Sequence, residues 1–360
     1  IVLRNSIFVR FIIIMANSIT IIELAAALGL SKSTVSRAFR GNSDINAATK
    51  ERILKKAEEL GFSPNLYASN LRGSKSSTIA IIIPEFGNKF FSQAIKGIEL
   101  IARNNDFHVL VYVTDHSADK EAAIIRTLVN GRVDGVIMSG SGEGKSHQYL
   151  KLLKKHNLPL VFFDRYYEDI NTICVTGNDF ESSYLATSHL IENGCKKIAY
   201  LAINKNVSIG KIRMDGYAKA LSDGGIKFDE QLTLDTSNDA EINYRDIEQL
   251  IKEQSPDAIF ASVERLAIST LRVTKTLGIH IPDQIKLICF SCLEIADMLS
   301  PALSVVKQPA YEMGKKATEY LFEIMRGNRE ADIQEVLFLE SDLIFQESSQ
   351  KKLTLTLGVL

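Results

Sequence analysis

From Ile79 onward, short unbroken apolar runs alternate with amphipathic stretches of helical period, and few architectures accept that order. The runs fall at 79–83, 108–113, 135–138, 160–163, 197–203, 258–262 and 285–290. Helical spacing fills the gaps, near 92–105, 119–130, 146–156, 181–193, 211–224, 241–254, 264–277 and 311–327. A strand that is apolar along its whole length is covered on both faces, so a doubly wound parallel sheet is expected. One compact sheet cannot take this many units, which predicts two similar α/β lobes. Ligands of such sheets sit beyond the carboxyl ends of the strands, so a small-molecule site is expected in the cleft between the lobes.

The first part of the chain has a different period and a different charge. The 360 residues carry a net charge of −1, which by itself names no partner. Residues 1–75, however, hold eleven Lys and Arg against five Asp and Glu, and the remainder holds 31 against 38. A basic head on an acidic body fits a nucleic-acid-binding domain joined to a globular one.

Within the head, Thr20-Ile21-Ile22-Glu23 has the form of a capping box, so a helix is expected to start there. Ile22, Ala25, Ala26 and Leu28 give it an apolar face, and Gly29 supplies the left-handed residue that ends it. Ser31 is the expected N-cap of a second helix over 32–39. Two short helices joined at a tight glycine turn form a helix-turn-helix. Val35, Ala38 and Phe39 are expected to point inward. Lys32, Ser33, Thr34, Ser36 and Arg37 point outward, and all can donate hydrogen bonds. An outer face of donors without a carboxylate suits phosphate oxygens and guanine edges. The plainer alternative is a solvated helical hairpin. A third helix, capped by Asn46 and running to Leu60, closes a three-helix core with Ile53, Leu54, Ala57 and Leu60. Lys50, Arg52, Lys55 and Lys56 lie on its outer faces, and Gly61 ends it. Residues 62–73 hold one proline and few apolar side chains. So short a segment is expected to order only against DNA or a second copy. A polar linker, 74–78, follows.

Residues 1–14 are apolar but contain Arg4 and Arg10. They lack a small-residue cleavage site and are too short to span a bilayer. Met15 is the expected natural start, with 1–14 an upstream extension. Four scattered cysteines, Cys174, Cys195, Cys289 and Cys292, make no disulfide framework and fit a reducing cytoplasm. Cys289-Phe290-Ser291-Cys292 is formally a CxxC, but the first cysteine is expected to end a buried strand, which disfavours redox chemistry. The six histidines show no metal-ligand spacing, and no cofactor is expected. Ser139-Gly140-Ser141-Gly142-Glu143-Gly144 lacks the spacing of a nucleotide fingerprint and is expected to be a mobile loop. No P-loop, GxSxG or HExxH occurs, so an enzyme is not expected.

From Ile19 to about Ser348 the chain resembles the lactose-repressor/galactose-repressor family of bacterial transcription regulators. The most specific part runs from Leu24-Ala25 through Ser31-Lys32-Ser33-Thr34-Val35-Ser36-Arg37, then Leu60-Gly61-Phe62, Pro64-Asn65, Ala68 and Leu71. The body adds Pro84, Asn88, Phe90-Phe91, Val133-Asp134-Gly135, Asp164-Arg165, Arg213, Gly216-Tyr217, Gly278, Pro282 and Gln308-Pro309. The resemblance implies an all-α three-helix head (15–62), a hinge helix and linker (63–78), and an effector-binding and dimerisation body of periplasmic-binding-protein type (79–350). Its N-lobe would take about 79–177 plus 308–334 and its C-lobe about 178–307 plus 335–350, leaving a tail at 351–360. It implies a cytoplasmic homodimer, with a tetramer left open, on near-palindromic operator DNA and away from membranes. By position, Lys32, Ser33 and Arg37 would reach base edges, and Ser31, Thr34 and Ser36 would hold phosphates. Asn65, Ala68 and Leu71 belong to the family's hinge helix, where Leu71 would wedge between base steps.

In the cleft, the resemblance implies that Phe90 and Phe91 stack on a sugar or related metabolite and that Arg213 donates to it. Arg165, Glu264 and Ser291 are further candidates. The alternatives are core packing for the two phenylalanines and, for Arg213, a surface ion pair with Asp215 or a helix neighbour. Val263-Glu264 and Cys289-Phe290-Ser291-Cys292 replace the family's usual Asn-Asp and Gly-Phe-Asp-Asp, and Asn178-Asp179 its usual Asp-Asn. The first two changes remove groups that commonly hold sugar hydroxyls. Three rivals follow: a regulator whose body answers to a protein partner, an α/β thiol enzyme with a DNA-binding appendage, and a secreted sugar receptor. Residues 19–73 disfavour the last.

Overall fold

The computed structural model describes residues 19–39, 44–62, 76–130, 132–142, 147–202 and 207–350. The expected extension, Met15, the hinge positions Asn65, Ala68 and Leu71, and the tail lie outside the described residues. The chain divides into two compact units between Lys75 and Ser76.

The head contains α1 (Ile21–Leu28), α2 (Lys32–Phe39) and α3 (Ala47–Glu59). Leu24, Ala25, Val35, Ala38, Ile53 and Ala57 make its core, with Phe39 and Phe62 partly buried against it. Four apolar residues expected there are solvent-facing instead: Ile22, Ala26, Leu54 and Leu60. Ile53 and Ala57 are buried as expected, Leu24 takes the inward position in place of Ile22, and so small a core has room for few large side chains.

In the body, the N-lobe opens with β1 (Thr78–Ile83), α4 (Lys89–Asn104), β2 (His108–Val113), α5 (Ala118–Leu128) and β3 (Gly135–Met138). It continues with α6 (Lys151–Lys155), β4 (Leu160–Phe163) and β5 (Ile173–Gly177). The C-lobe holds α7 (Asp179–Glu192), β6 (Ile198–Ala202), α8 (Ser208–Asp223), β7 (Thr233–Asp235) and α9 (Ala240–Gln254). Next come β8 (Ala258–Ala261), α10 (Glu264–Leu277), β9 (Lys286–Phe290) and β10 (Ser304–Lys307). The chain then re-enters the N-lobe through α11 (Ala310–Met325) and β11 (Glu335–Leu339), and β12 (Asp342–Ile344) returns to the C-lobe.

The two sheets share one plan. Their orders are β11-β5-β4-β3-β1-β2 and β12-β10-β9-β8-β6-β7. All pairings are parallel except that of β12 with β10. In each sheet the strand order reverses beside the first strand, and at such a switch point loops diverge and leave a crevice. The lobe boundary expected at 334/335 moves, because β11 pairs with β5 over Glu335–Leu339 and so completes the N-lobe sheet. Helices α4 and α11 cross where glycines let the backbones touch. A Cβ on Gly97 would lie 2.1 Å from the Tyr311 carbonyl oxygen, and one on Gly314 2.1 Å from that of Ala94. No helix among the described residues is long and apolar enough to cross a membrane.

Candidate DNA-binding surface and interlobe cleft

The head's geometry starts from its caps. The Thr20 hydroxyl accepts from the Glu23 amide at 3.3 Å, and the Glu23 carboxylate accepts from the Thr20 amide at 2.7 Å. Gly29 turns the chain at φ +66°. Ser31 Oγ then accepts from the Thr34 amide at 3.1 Å and shares hydrogen bonds of 2.8 Å with the Ser33 and Thr34 hydroxyls. The hydroxyls at the start of α2 are therefore held as one ordered group. Buried Val35 and Ala38 fix the rotation of α2, which leaves Ser31, Lys32, Ser33 and Arg37 exposed and Thr34 and Ser36 half-buried.

Two features depart from the expected free donor surface. Arg37 Nη1 donates to Asp44 Oδ2 at 2.7 Å, so the fold brings a carboxylate to a helix face that has none of its own. Arg52 Nη2 donates to the Leu28 carbonyl at 2.7 Å, so this cation satisfies the carboxyl end of α1.

The cleft candidates gather at the carboxyl ends of the strands. Phe90 and Phe91 are 4% and 1% exposed. Their rings pack edge to face at 5.2 Å, and both meet Phe163, at 6.4 and 6.2 Å. Cys292, from the loop after β9, joins the same cluster, so an apolar contact crosses between the lobes. The core-packing alternative therefore describes the contacts these two rings make.

Arg213 is buried, and Asp215 is not the partner that holds it. Its Nε donates to Asp179 Oδ1 at 2.7 Å and its Nη1 to the Ser262 carbonyl at 2.7 Å, while the guanidinium lies 3.8 Å from the centre of the Phe290 ring. Arg213 Nη2 and Asp179 Oδ2 remain without hydrogen-bond partners. Arg165, also buried, has its Nη1 3.3 Å from His116 Nδ1 and its Nε 3.6 Å from Asp164 Oδ2. Burial pushes the Asp164 carboxyl up to about 6, against the pull of Arg165 and Arg213. Burial likewise raises Asp179 and lowers Arg165. Glu264 and Ser291 come together, the Ser291 hydroxyl donating to Glu264 Oε2 at 2.6 Å.

Sequence reasoning missed the residues that bridge the lobes. Arg265 Nη1 meets Glu85 Oε1 at 3.3 Å, Lys89 Nζ meets Glu294 Oε1 at 3.2 Å, and the Tyr166 amide donates to Ser208 Oγ at 3.3 Å. Burial alone would raise the Glu85 carboxyl, but the His116 hydrogen bond and the nearby Arg265, His116 and Arg165 charges hold it below its ordinary value. Glu85, His116 and Arg265 each follow closely on a strand end, the one signal that could have flagged them.

The glycine-rich loop also departs from expectation over 139–142. Ser139 and Ser141 are buried, and the Ser141 amide donates to Glu121 Oε2 at 2.7 Å. Glu121, itself fully buried, also accepts from the Tyr149 and Tyr167 hydroxyls, and burial raises its pKa. This end of the loop is built into the N-lobe.

All four cysteines are buried and unpaired, and burial pushes the Cys292 thiol up to about 11 and Cys289 higher still. That is the reverse of what a redox pair needs. No cluster of His, Cys, Asp and Glu suited to a metal occurs among the described residues.

Comparison with known proteins matches residues 20–65 to "Bacterial regulatory proteins, lacI family" and residues 187–349 to "Periplasmic binding protein-like domain". The chain is 30% identical over 306 residues to the HTH-type transcriptional repressor PurR of Vibrio atlanticus, covering 84% of this chain and 91% of that protein. It is 28% identical over 338 residues to catabolite control protein A of Priestia megaterium, covering 92% and 100%. The lac repressor dimer bound to operator and the anti-inducer ONPF has the same fold, with a TM-score of 0.81 at 20% identity, covering 93% of this chain and all of that one. The transcriptional regulator CelR in complex with cellobiose superposes with a TM-score of 0.69 at 23% identity, covering 92% and 99%.

Proposed function

Because the chain belongs to the lacI family of bacterial regulatory proteins, we propose that it is a cytoplasmic repressor that binds a near-palindromic operator as a homodimer. The observation that carries the DNA half of this reading is the outer face of α2. Lys32, Ser33 and Arg37 stand exposed on a helix whose Ser31 cap and two buried residues fix its orientation. On this reading those three side chains read base edges, and Ser31, Thr34 and Ser36 hold the backbone in register. On the same reading, Asn65, Ala68 and Leu71 contact the minor groove.

For control, the proposal is a small-molecule effector, a sugar or related metabolite, seated between the lobes. Arg213, Arg165, Glu264 and Ser291 supply its polar contacts, and Phe90 and Phe91 the apolar floor. A ligand shifts such a body only if it binds open and closed forms unequally. The lobes are joined here by Glu85–Arg265, Lys89–Glu294 and Tyr166–Ser208, so an effector acts by replacing or reinforcing those bridges.

A second reading has an observation of its own. Phe90, Phe91, Arg165 and Arg213 already have protein partners that fill their faces. That favours a body controlled by a protein partner on its outer surface. Isothermal titration with sugars and nucleosides separates the two: saturable binding that Ser291→Ala weakens supports the effector, and none across a broad panel supports the protein partner. For the DNA half, fragments selected from the host genome should share an inverted repeat.

A further inference from the structure

The ion pair between Arg37 and Asp44 is the unexplained feature of the head. Both side chains are about half exposed, at 45% and 48%. An exposed pair of this kind contributes little to folding. A carboxylate close to a DNA-binding face also opposes the phosphate attraction that drives non-specific binding. Neither stability nor general affinity accounts for it.

Asp44 is nevertheless firmly placed. Its neighbour Ile45 packs against the head core, and Asn46 caps α3 by accepting from the Thr49 amide at 2.8 Å. Arg37 is fixed from the other side by buried Val35 and Ala38. A carboxylate anchored by α3 thus grips Nη1 of a guanidinium anchored by α2. Arginine has five N–H donors in a rigid fork. With one held by Asp44, the Nε and Nη2 edge has no partner among the described residues and suits the two acceptors of guanine, O6 and N7. The grip also keeps the side chain from folding back onto a phosphate.

We propose that Asp44 is a specificity-determining positioning residue, which presents the Arg37 fork to a guanine and withholds it from the DNA backbone. This rests on the reading of α2 as the DNA-reading helix. The test uses the full-length protein, one selected genomic fragment and a random duplex of equal length at the same salt. Affinities are measured for the unmodified protein, Asp44→Asn, Asp44→Glu, Arg37→Ala and the Asp44→Asn/Arg37→Ala double variant.

Asp44→Asn is expected to cut the ratio of fragment to random affinity three- to ten-fold, with the loss confined to one G·C pair on base-by-base substitution. Asp44→Glu should keep most of the ratio, and in the Arg37→Ala background Asp44→Asn should change it no further. Equal shifts on both DNAs, or the same loss without Arg37, would overturn the proposal while leaving the DNA-binding reading intact. An unmodified protein with no preference would overturn both. A melting temperature for Asp44→Asn within a degree or two of the unmodified protein excludes unfolding as the cause; a folded head that keeps its full ratio sinks the inference.

Discussion

Arg37 in the head and Arg213 in the body are both proposed to meet a ligand, yet their side chains are 45% and 1% exposed. Among the described residues Arg37 has one carboxylate partner, and its side chain is half exposed. Arg213 is held by a carboxylate, a carbonyl and an aromatic face, all within the body. The head therefore offers a preformed surface, and the body a network that a ligand or partner must rearrange. Removing the exposed arginine should damage recognition alone; removing the buried one should damage the fold.

The largest effect is expected at the buried pair. Arg213→Ala leaves Asp179 charged and unpaired in the interior, which costs about 3–5 kcal/mol. Denaturant unfolding of the full chain should show that loss in the body's transition. A stable Arg213→Ala body would break the contrast. Next comes Gly97→Ala, whose methyl would meet the Tyr311 carbonyl oxygen where α4 crosses α11. Overpacking of that kind costs about 1–3 kcal/mol, read from the same unfolding curve.

Arg37→Ala should leave both unfolding transitions in place and cost roughly 1–3 kcal/mol of discrimination at one base pair. Lys50→Ala and Lys55→Ala should weaken operator and random DNA alike and each lower the salt slope by about one. Affinity titrations at several salt concentrations check both statements. A specificity loss at Lys55 would blur the line between reading and holding.

The body should also respond to pH in a way the head does not. Burial raises Asp164 from 3.8 to about 6, so the folded body holds that proton more readily than the unfolded chain. Its stabilising contribution is complete below about pH 4 and is lost as pH rises through about 6. Asp164→Asn should therefore gain stability relative to the unmodified protein at pH 7.5 and not at pH 4, by thermal melts at both. The smallest effect is expected at the partly exposed lobe bridge. Lys89→Ala, which removes the more exposed bridge to Glu294, should shift stability by about 0.2–1 kcal/mol, on the scale of other exposed pairs.

The same contrast governs what could be read from the sequence. The head's helices depend on local signals, and Thr20, Gly29, Ser31 and Asn46 mark their ends within a few residues. Strands β2, β3 and β4 and helix α10 were equally legible, because their apolar pattern is continuous and their boundaries are local. Strand β5 was not: Ile173-Cys174-Val175-Thr176-Gly177 is short and mixed, and it pairs with β11 from the far end of the chain. Strands β7, β10 and β12 failed to stand out for the same reasons.

Of the candidate residues, Arg165, Arg213, Glu264 and Ser291 were visible only through resemblance, since most of their partners lie far away in the sequence: His116 for Arg165, Asp179 and Ser262 for Arg213, and Ser291 for Glu264. Asp44 was the reverse case. It sits seven residues from Arg37, but it lies beyond the end of α2 at Phe39, and only the fold brings the carboxylate to the α2 face.

The most direct test is competition at moderate salt between host genomic fragments and excess bulk DNA for the purified protein. The account predicts recovery of a small set of fragments sharing an inverted repeat, and loss of that preference in Arg37→Ala. Recovery in proportion to genomic abundance, with and without cell extract, would contradict it.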